Sequence, residues 1–190
     1  MRSPHADPAH DPRPELHLVR VGYGDPDAIR LVADVQAEYV ERYGSPDASP
    51  LDPLMFEPPA GSFYVGYLGG DPVVTGAWRR SGVRVFDTDR TAEVKRMYVA
   101  PQARGRGLAR QVLLHLEESA ADAGYEALVL ETGLKQPEAI ALYESSGYVR
   151  VPGFGYYRDS PLSRCFGRPL VARDRSAAAP APGLGTGPAD

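Results

Sequence analysis

The chain has 190 residues, 43% hydrophobic and 24% charged, and a formal net charge of −4 at pH 7. That length accommodates one well-cored globular unit with residues to spare at both ends, and two full domains would be cramped. The acidic balance (pI about 5.6) argues against a nucleic-acid binder held by bulk electrostatics. One cysteine, Cys165, excludes an intrachain disulfide and a cysteine-based metal cluster. No apolar run approaches the ~18 residues of a membrane span, and the proline- and histidine-containing start does not read as a signal peptide. A reducing cytoplasm is therefore the expected compartment, with no membrane and no nucleic acid among the expected partners.

Residues 1–14 are rich in proline and nearly devoid of apolar side chains, which predicts a flexible arm; His5 and His10 have no companion ligands there and read as solvated. Leu16 to Val21 alternates as a first strand does. Asp25-Pro26 supplies a helix N-cap followed by proline at the first helical position. The helix it opens runs to Tyr43, with Ile29, Val32, Val35, Tyr39, Val40 and Tyr43 forming its apolar stripe and Gly44 its stop. Residues 45–61 carry five prolines and an apolar cluster of Leu51, Leu54, Met55 and Phe56, which reads as a packed lid.

Ser62–Leu68 and Pro72–Arg79 read as a hairpin around Gly69-Gly70-Asp71, with Trp78 in the core. A polar connection, 81–90, leads to a central strand, Thr91–Val99. Leu108, Val112, Leu113, Leu116 and Ala120 then fall on one helical face, with Glu117, Glu118 and Asp122 expected in water and Gly124 as the terminator. Ala127–Leu130 has the composition of a strand covered on both faces. A helix starts at Pro137 and stops at Gly147. Closing strands are expected at Tyr148–Val151 and Tyr156–Tyr157, and a final edge strand at 163–170. Residues 171–190, rich in Ala, Pro and Gly, are expected to be a disordered tail, leaving 15–170 as the folded unit.

The stretch with the strongest chemical content lies between the central strand and the helix after it: Ala100-Pro101-Gln102-Ala103-Arg104-Gly105-Arg106-Gly107. Two glycines allow backbone to approach a ligand closely. Unpaired N–H groups at the following helix start favour an anion such as a pyrophosphate, and Arg104, Arg106 and Arg110 add positive charge. No Lys-Ser or Lys-Thr follows either glycine, which removes a nucleotide-hydrolysing P-loop; Arg110 stands at the third glycine of a dinucleotide fingerprint, which weakens that reading.

What remains, Gln102-x-x-Gly105-x-Gly107 directly after a strand, resembles the coenzyme A pyrophosphate loop of the GNAT superfamily of N-acetyltransferases. With Gln136-Pro137-Glu138-Ala139-Ile140-Ala141-Leu142-Tyr143 downstream and the element order above, the resemblance covers roughly residues 15–160. It implies an α/β (α+β) GNAT fold, with a central mixed, mostly antiparallel sheet splayed at its middle strands and flanked by helices. The second N-terminal helix common in the family is here replaced or shortened by the proline-rich loop.

The resemblance also implies roles. The backbone of Met97, Tyr98 and Val99 would pair with a pantetheine arm. The amides of Arg104, Gly105, Arg106, Gly107 and Leu108 would hold the pyrophosphate, with Ala109 and Gln102 counted in the same site. Gln136 stands where the family more often has asparagine. Glu93 matches the position of a general base, or else pairs with Lys95 or Arg96 on the strand surface. Tyr143 matches the acid that protonates the leaving thiolate, or else is a core aromatic. Acceptor walls are drawn from Tyr39, Tyr43, the 51–56 segment, Arg79, Arg80 and Tyr156, either arginine being able to hold a substrate carboxylate.

The expected activity is acetyl transfer from acetyl-coenzyme A, without a metal, to the primary amine of a small, amino-acid-like molecule by direct attack. A protein N-terminus or lysine is the alternative acceptor, and a non-catalytic acetyl-coenzyme A sensor the alternative class. A homodimer stays open.

Overall fold

The computed structural model describes residues 15–171; the proposed arm and all but the first residue of the proposed tail lie outside them. Seven strands and three α-helices follow in the order β1 (Leu16–Val21), α1 (Pro26–Tyr43), β2 (Gly61–Leu68), β3 (Asp71–Arg80), β4 (Thr91–Val99), α2 (Leu108–Asp122), β5 (Ala127–Gly133), α3 (Pro137–Ser145), β6 (Val149–Arg150) and β7 (Ser163–Pro169). The strands form one sheet in the order β1-β2-β3-β4-β5-β7-β6. Every neighbouring pair is antiparallel except β4 and β5, which α2 connects as a parallel crossover.

Local chemistry sets the helix ends. Asp25 caps α1 by accepting from the backbone N–H groups of Asp27 and Ala28, and Gly44 closes it in the left-handed conformation. α1 buries Ala28, Leu31, Val32 and Val35, while Ile29 and Val40 are exposed. The helix meets the sheet along a narrower face than its apolar stripe suggests. α2 buries the five expected apolar residues and also Glu117, in contrast to the solvated position expected for it. Arg168 of β7 reaches across to both Glu117 oxygens at 3.1 Å, and that ion pair offsets the cost of taking the carboxylate out of water.

Two further expectations change. The 163–170 segment is an inner strand: β7 lies between β5 and the two-residue edge strand β6. Tyr156–Tyr157 is a turn rather than a strand, because the Tyr157 hydroxyl is held by Asp47 and the backbone of Ala48, which draws the segment across the end of the sheet. The long loop after α1 does pack through Phe56, which is buried against Tyr23 and Phe63, but Leu54 is exposed.

The sheet divides at its centre. β4 and β5 pair only from Thr91↔Ala127 to Val94↔Leu130. Beyond that, β4 continues on β3 as far as Val74↔Val99, and β5 continues on β7 to Gly133↔Ser163. The register shift between Thr75 and Ala77 and the positive φ of 54° at Arg96 mark a bulge that turns β4 away from its parallel neighbour. α2 packs on β3 at this point: a Cβ at Gly76 would come within 2.5 Å of Val112 Cγ1. Gly76→Ala is therefore expected to lower stability by about 1–3 kcal/mol through overpacking. Gly24→Ala, where a Cβ meets nothing within 4 Å, should stay within about 0.5 kcal/mol of wild type; urea unfolding of both variants measures the difference.

Candidate active site

The divided sheet opens two cavities that share one wall. The first is a groove of about 500 Å3 between the free edge of β4, the glycine corner and α3, lined by Met97, Tyr98, Val99, Arg104, Gly105, Leu108, Ala109, Gln136 and Tyr143. The second, about 300 Å3, lies at the C-terminal ends of β4 and β5 and is lined by Tyr39, Tyr43, Asp47, Lys95, Glu131, Gln136, Tyr157 and Ser163, among others. Gln136 belongs to both.

The groove has the features an anionic, strand-like ligand needs. Gly105 and Gly107 both have φ of 75°, a backbone conformation that a side chain strains, and a Cβ on either would meet nothing within 4 Å. Gly107 caps α2 without any side-chain bond to the helix, so the first amides of the helix present their dipole to this corner. The Val99 carbonyl, left without a β5 partner, accepts from Arg104 Nε at 2.9 Å. Arg104 also reaches Glu38 at 2.6 Å, and Arg42 bridges Glu38 to Glu138, a chain of charges linking α1, the corner and α3. Arg110 instead bonds the hydroxyls of Ser145 and Ser146. Gln102 and Arg106 are exposed on the corner, outside the groove lining.

Tyr143 projects from α3 to the base of the groove, 6% exposed, with its hydroxyl 3.8 Å from Met97 Sδ. Its ring packs on Tyr148 and Phe166, so it is both a core aromatic and a groove-lining phenol. Burial, with Tyr39 nearby, pushes its hydroxyl well above the ordinary tyrosine range, which keeps the proton on oxygen at neutral pH.

Glu93 is placed differently from a solvated strand acid. It is 4% exposed, and its oxygens are occupied by Arg79 Nη2 at 2.8 Å and Lys95 Nζ at 2.7 Å. Arg96, the other partner considered for it, pairs with Asp47 at 2.5 Å. Arg79 spends its remaining guanidinium nitrogen on Met55 Sδ. Neither Arg79 nor Arg80 lines either cavity, and the 51–56 segment is also absent from both walls; the start of the loop, Ser45 to Asp47, takes that position. Tyr156 is 60% exposed, and its neighbour Tyr157 is the wall residue. Tyr39 and Tyr43 line the second cavity, and burial pushes the Tyr39 hydroxyl up to about 12.

Asp47, Lys95, Glu131, Tyr157 and Ser163 were not singled out by sequence. Glu131 carried the one available signal, an acid in the otherwise apolar strand Ala127-Leu128-Val129-Leu130-Glu131. Asp47 is a junction. It accepts from Arg96, from Tyr157 Oη at 3.1 Å and from the Ser49 backbone N–H at 2.9 Å, and so ties the loop after α1 to β4 and to the 155–162 turn. Among the described residues no group of three or more His, Cys, Asp or Glu could hold a metal ion, and no helix is long and apolar enough to cross a membrane.

A mixed sheet divided between two parallel strands, with a glycine-cornered helix start at the division, defines an acyltransferase class of fold. Residues 30–148 match the Acetyltransferase (GNAT) family, and the chain belongs to that family. Over 99 residues it is 43% identical to an IAA acetyltransferase of Azospirillum brasilense, a match that takes in 48% of this chain and 65% of the relative, so just under two thirds of that protein's length is spanned. A solved Klebsiella pneumoniae chain assigned as an acyl-CoA N-acyltransferase superposes with a TM-score of 0.67 at 30% identity, over 82% of this chain and 98% of its own. A Bacillus subtilis acetyltransferase solved in complex with CoA shares the fold, with a TM-score of 0.57 at 15% identity over 83% of this chain and 100% of its own.

The Asp47 junction has a pH signature. Burial alone would raise its carboxyl, but hydrogen bonds from Arg96 and Ser49 outweigh that and hold it at about 2, below its ordinary 3.8. Because the folded value is depressed, the stabilisation is complete above about pH 4 and is lost as pH falls towards 2. It amounts to about 2 kcal/mol. Asp47→Asn should therefore destabilise the protein at pH 7 by at least that much, since buried Arg96 loses its partner, and should flatten the decline of stability below pH 4 in denaturant titrations.

Proposed function

We propose that this chain transfers the acetyl group of acetyl-coenzyme A to the primary amine of a small molecule, by direct attack of nitrogen on the thioester. The observation that carries the reading is the meeting of the two cavities at Gln136, with Tyr143 lining the larger of them. One cavity has the form and polarity of a pantetheine and pyrophosphate site; the other is a walled chamber of metabolite size.

The residues present fit the coenzyme. The backbone of Met97–Val99 faces the groove without a β5 partner and can pair with an extended amide-bearing chain. The Arg104 amide is bonded to the Pro101 carbonyl, but those from Gly105 to Ala109 lie at the helix start, where negative charge is favoured, and the glycines leave space for phosphate oxygens. The coenzyme supplies an activated acyl group. Tyr143 acts as the acid: burial keeps its hydroxyl protonated, and it lines the groove in which the thioester would lie, so it can give its proton to sulfur as the carbon–sulfur bond breaks. Gln136, anchored through its side-chain oxygen to Gly133 N–H, holds the partition between donor and acceptor spaces.

The acceptor chamber favours a small molecule over a peptide. Asp47 and Tyr157 draw the loop after α1 and the 155–162 turn together across its side. The likeness to an IAA acetyltransferase supports the same preference.

Tyr143→Phe should lower kcat for amine-dependent thiol release about 100-fold while leaving coenzyme A binding, measured by calorimetry, intact. Coenzyme A binding by wild type with no thiol release in the presence of any amine would overturn the enzyme reading in favour of a sensor.

A further inference from the structure

The chamber's charge arrangement says more about the acceptor than the fold does. The other buried acids around it are each matched by a cation: Asp47 by Arg96, and Glu93 by Arg79 and Lys95. Glu131 is different. Among the described residues its side-chain hydrogen bond comes from a neutral donor, Ser163 Oγ, at 2.7 Å to Oε1, and its other oxygen lies near Gly155, within 3.6 Å of where a Cβ there would sit. It lines the chamber, as Glu93 does not. The strand register explains the contrast. Glu93 lies opposite Val129 in the last paired stretch of β4 and β5, shut beneath Lys95. Glu131 is one residue past Leu130, the final paired residue, where the strands part.

Resting on the N-acetyltransferase reading, we propose that Glu131 receives the acceptor as its ammonium ion and removes the proton, and that the acceptor is an apolar or aromatic primary amine without a carboxylate. Glu93 then serves as the fixed counter-charge that holds Lys95 and Arg79 away from the incoming cation. The rings of Tyr39, Tyr43 and Tyr157 supply faces for the body of such an amine and attract its charge. An acceptor carboxylate would face Asp47 and Glu131, and the cation beside them, Lys95, is already paired.

In the reaction a proton passes from the ammonium nitrogen to the Glu131 carboxylate. The freed lone pair forms the bond to the acetyl carbonyl carbon. The carbon–sulfur bond then breaks, sulfur takes the Tyr143 proton, and the phenolate recovers a proton from the new amide nitrogen. Glu131 returns its proton to water, so the products are the amide, the thiol and one proton.

Burial raises the Glu131 carboxyl, and Glu93 from β4 and Asp47 from the loop raise it further, while Ser163 from β7 and Lys95 from β4 lower it; Cys165 of β7 is the other titratable neighbour. A base with a raised value is competent only above that value, so kcat/KM should rise with pH through it. The test is the pH profile of kcat/KM for phenethylamine and for phenylalanine, with wild type, Glu131→Gln and Ser163→Ala, each shown to bind coenzyme A.

Four results are expected. Wild type prefers phenethylamine by at least about tenfold, since like charges oppose the amino acid. Glu131→Gln loses about 100-fold near pH 7. It regains rate at high pH, where the amine deprotonates itself. Ser163→Ala moves the acidic limb to higher pH, because the hydrogen bond that favoured the carboxylate is gone. A Glu131→Gln profile matching wild type, or equal use of phenylalanine, would overturn the inference while leaving the enzyme reading in place. Wild type that binds coenzyme A yet releases no thiol with any amine would remove both.

Discussion

The separation of β4 from β5 after four paired residues is the constraint on which everything else depends. Two parallel strands that stayed in register would satisfy each other's backbone groups and leave no opening. Here each strand keeps its outer neighbour, β3 for one and β7 for the other, so the sheet remains one hydrogen-bonded body while its centre is divided. The bulge at Arg96 and the close seat of α2 on Gly76 hold the division open. Backbone groups exposed by it must find partners. Arg104 provides one, on the Val99 carbonyl, and the remainder of that edge faces a groove shaped for an amide-bearing ligand.

The division also concentrates charge. Asp47–Arg96, Glu93 with Arg79 and Lys95, and Glu117–Arg168 are all largely withdrawn from water. Removing one member of such a pair costs much more than the intact pair contributes, because the survivor is left without compensation. These pairs therefore act mainly as positioning devices. The first ties two loops to β4 at the chamber wall, the second fixes the lysine that lines it, and the third fastens α2 to β7 behind the site. Against this background Glu131, whose side-chain hydrogen bond among the described residues comes from a hydroxyl, is chemically distinct.

The two cavities rest on different kinds of support. The groove is formed by backbone: a β-edge, two glycines in the left-handed conformation and a helix start, none of which relies on a particular side chain. The chamber is formed by side chains on several separate segments, from α1 to β7. The first is suited to one invariant ligand. The second can change its selectivity by substitution without disturbing the sheet.

Local patterns in the sequence determined most of the elements and the glycine corner of the groove. The Asp25-Pro26 cap, the Gly69-Gly70 hairpin, the Gln102-x-x-Gly105-x-Gly107 corner and Pro137 each act within a few residues, through capping, turn geometry and backbone freedom, and so can be read from neighbours in the chain. Met97 to Val99 and Tyr143, named through the family resemblance those patterns carry, line the groove. Tertiary structure decided the rest. That β7 enters between β5 and β6, that Glu117 is buried against Arg168, and that Tyr157 rather than Tyr156 walls the chamber all depend on partners tens of residues away. So does the contrast between Glu93 and Glu131. Both are acids on central strands, and nothing near either in sequence says which is sealed by Arg79 and Lys95 and which opens where the strands part. Charge pairing and burial are fixed by packing between distant segments, and only the folded arrangement distinguishes them.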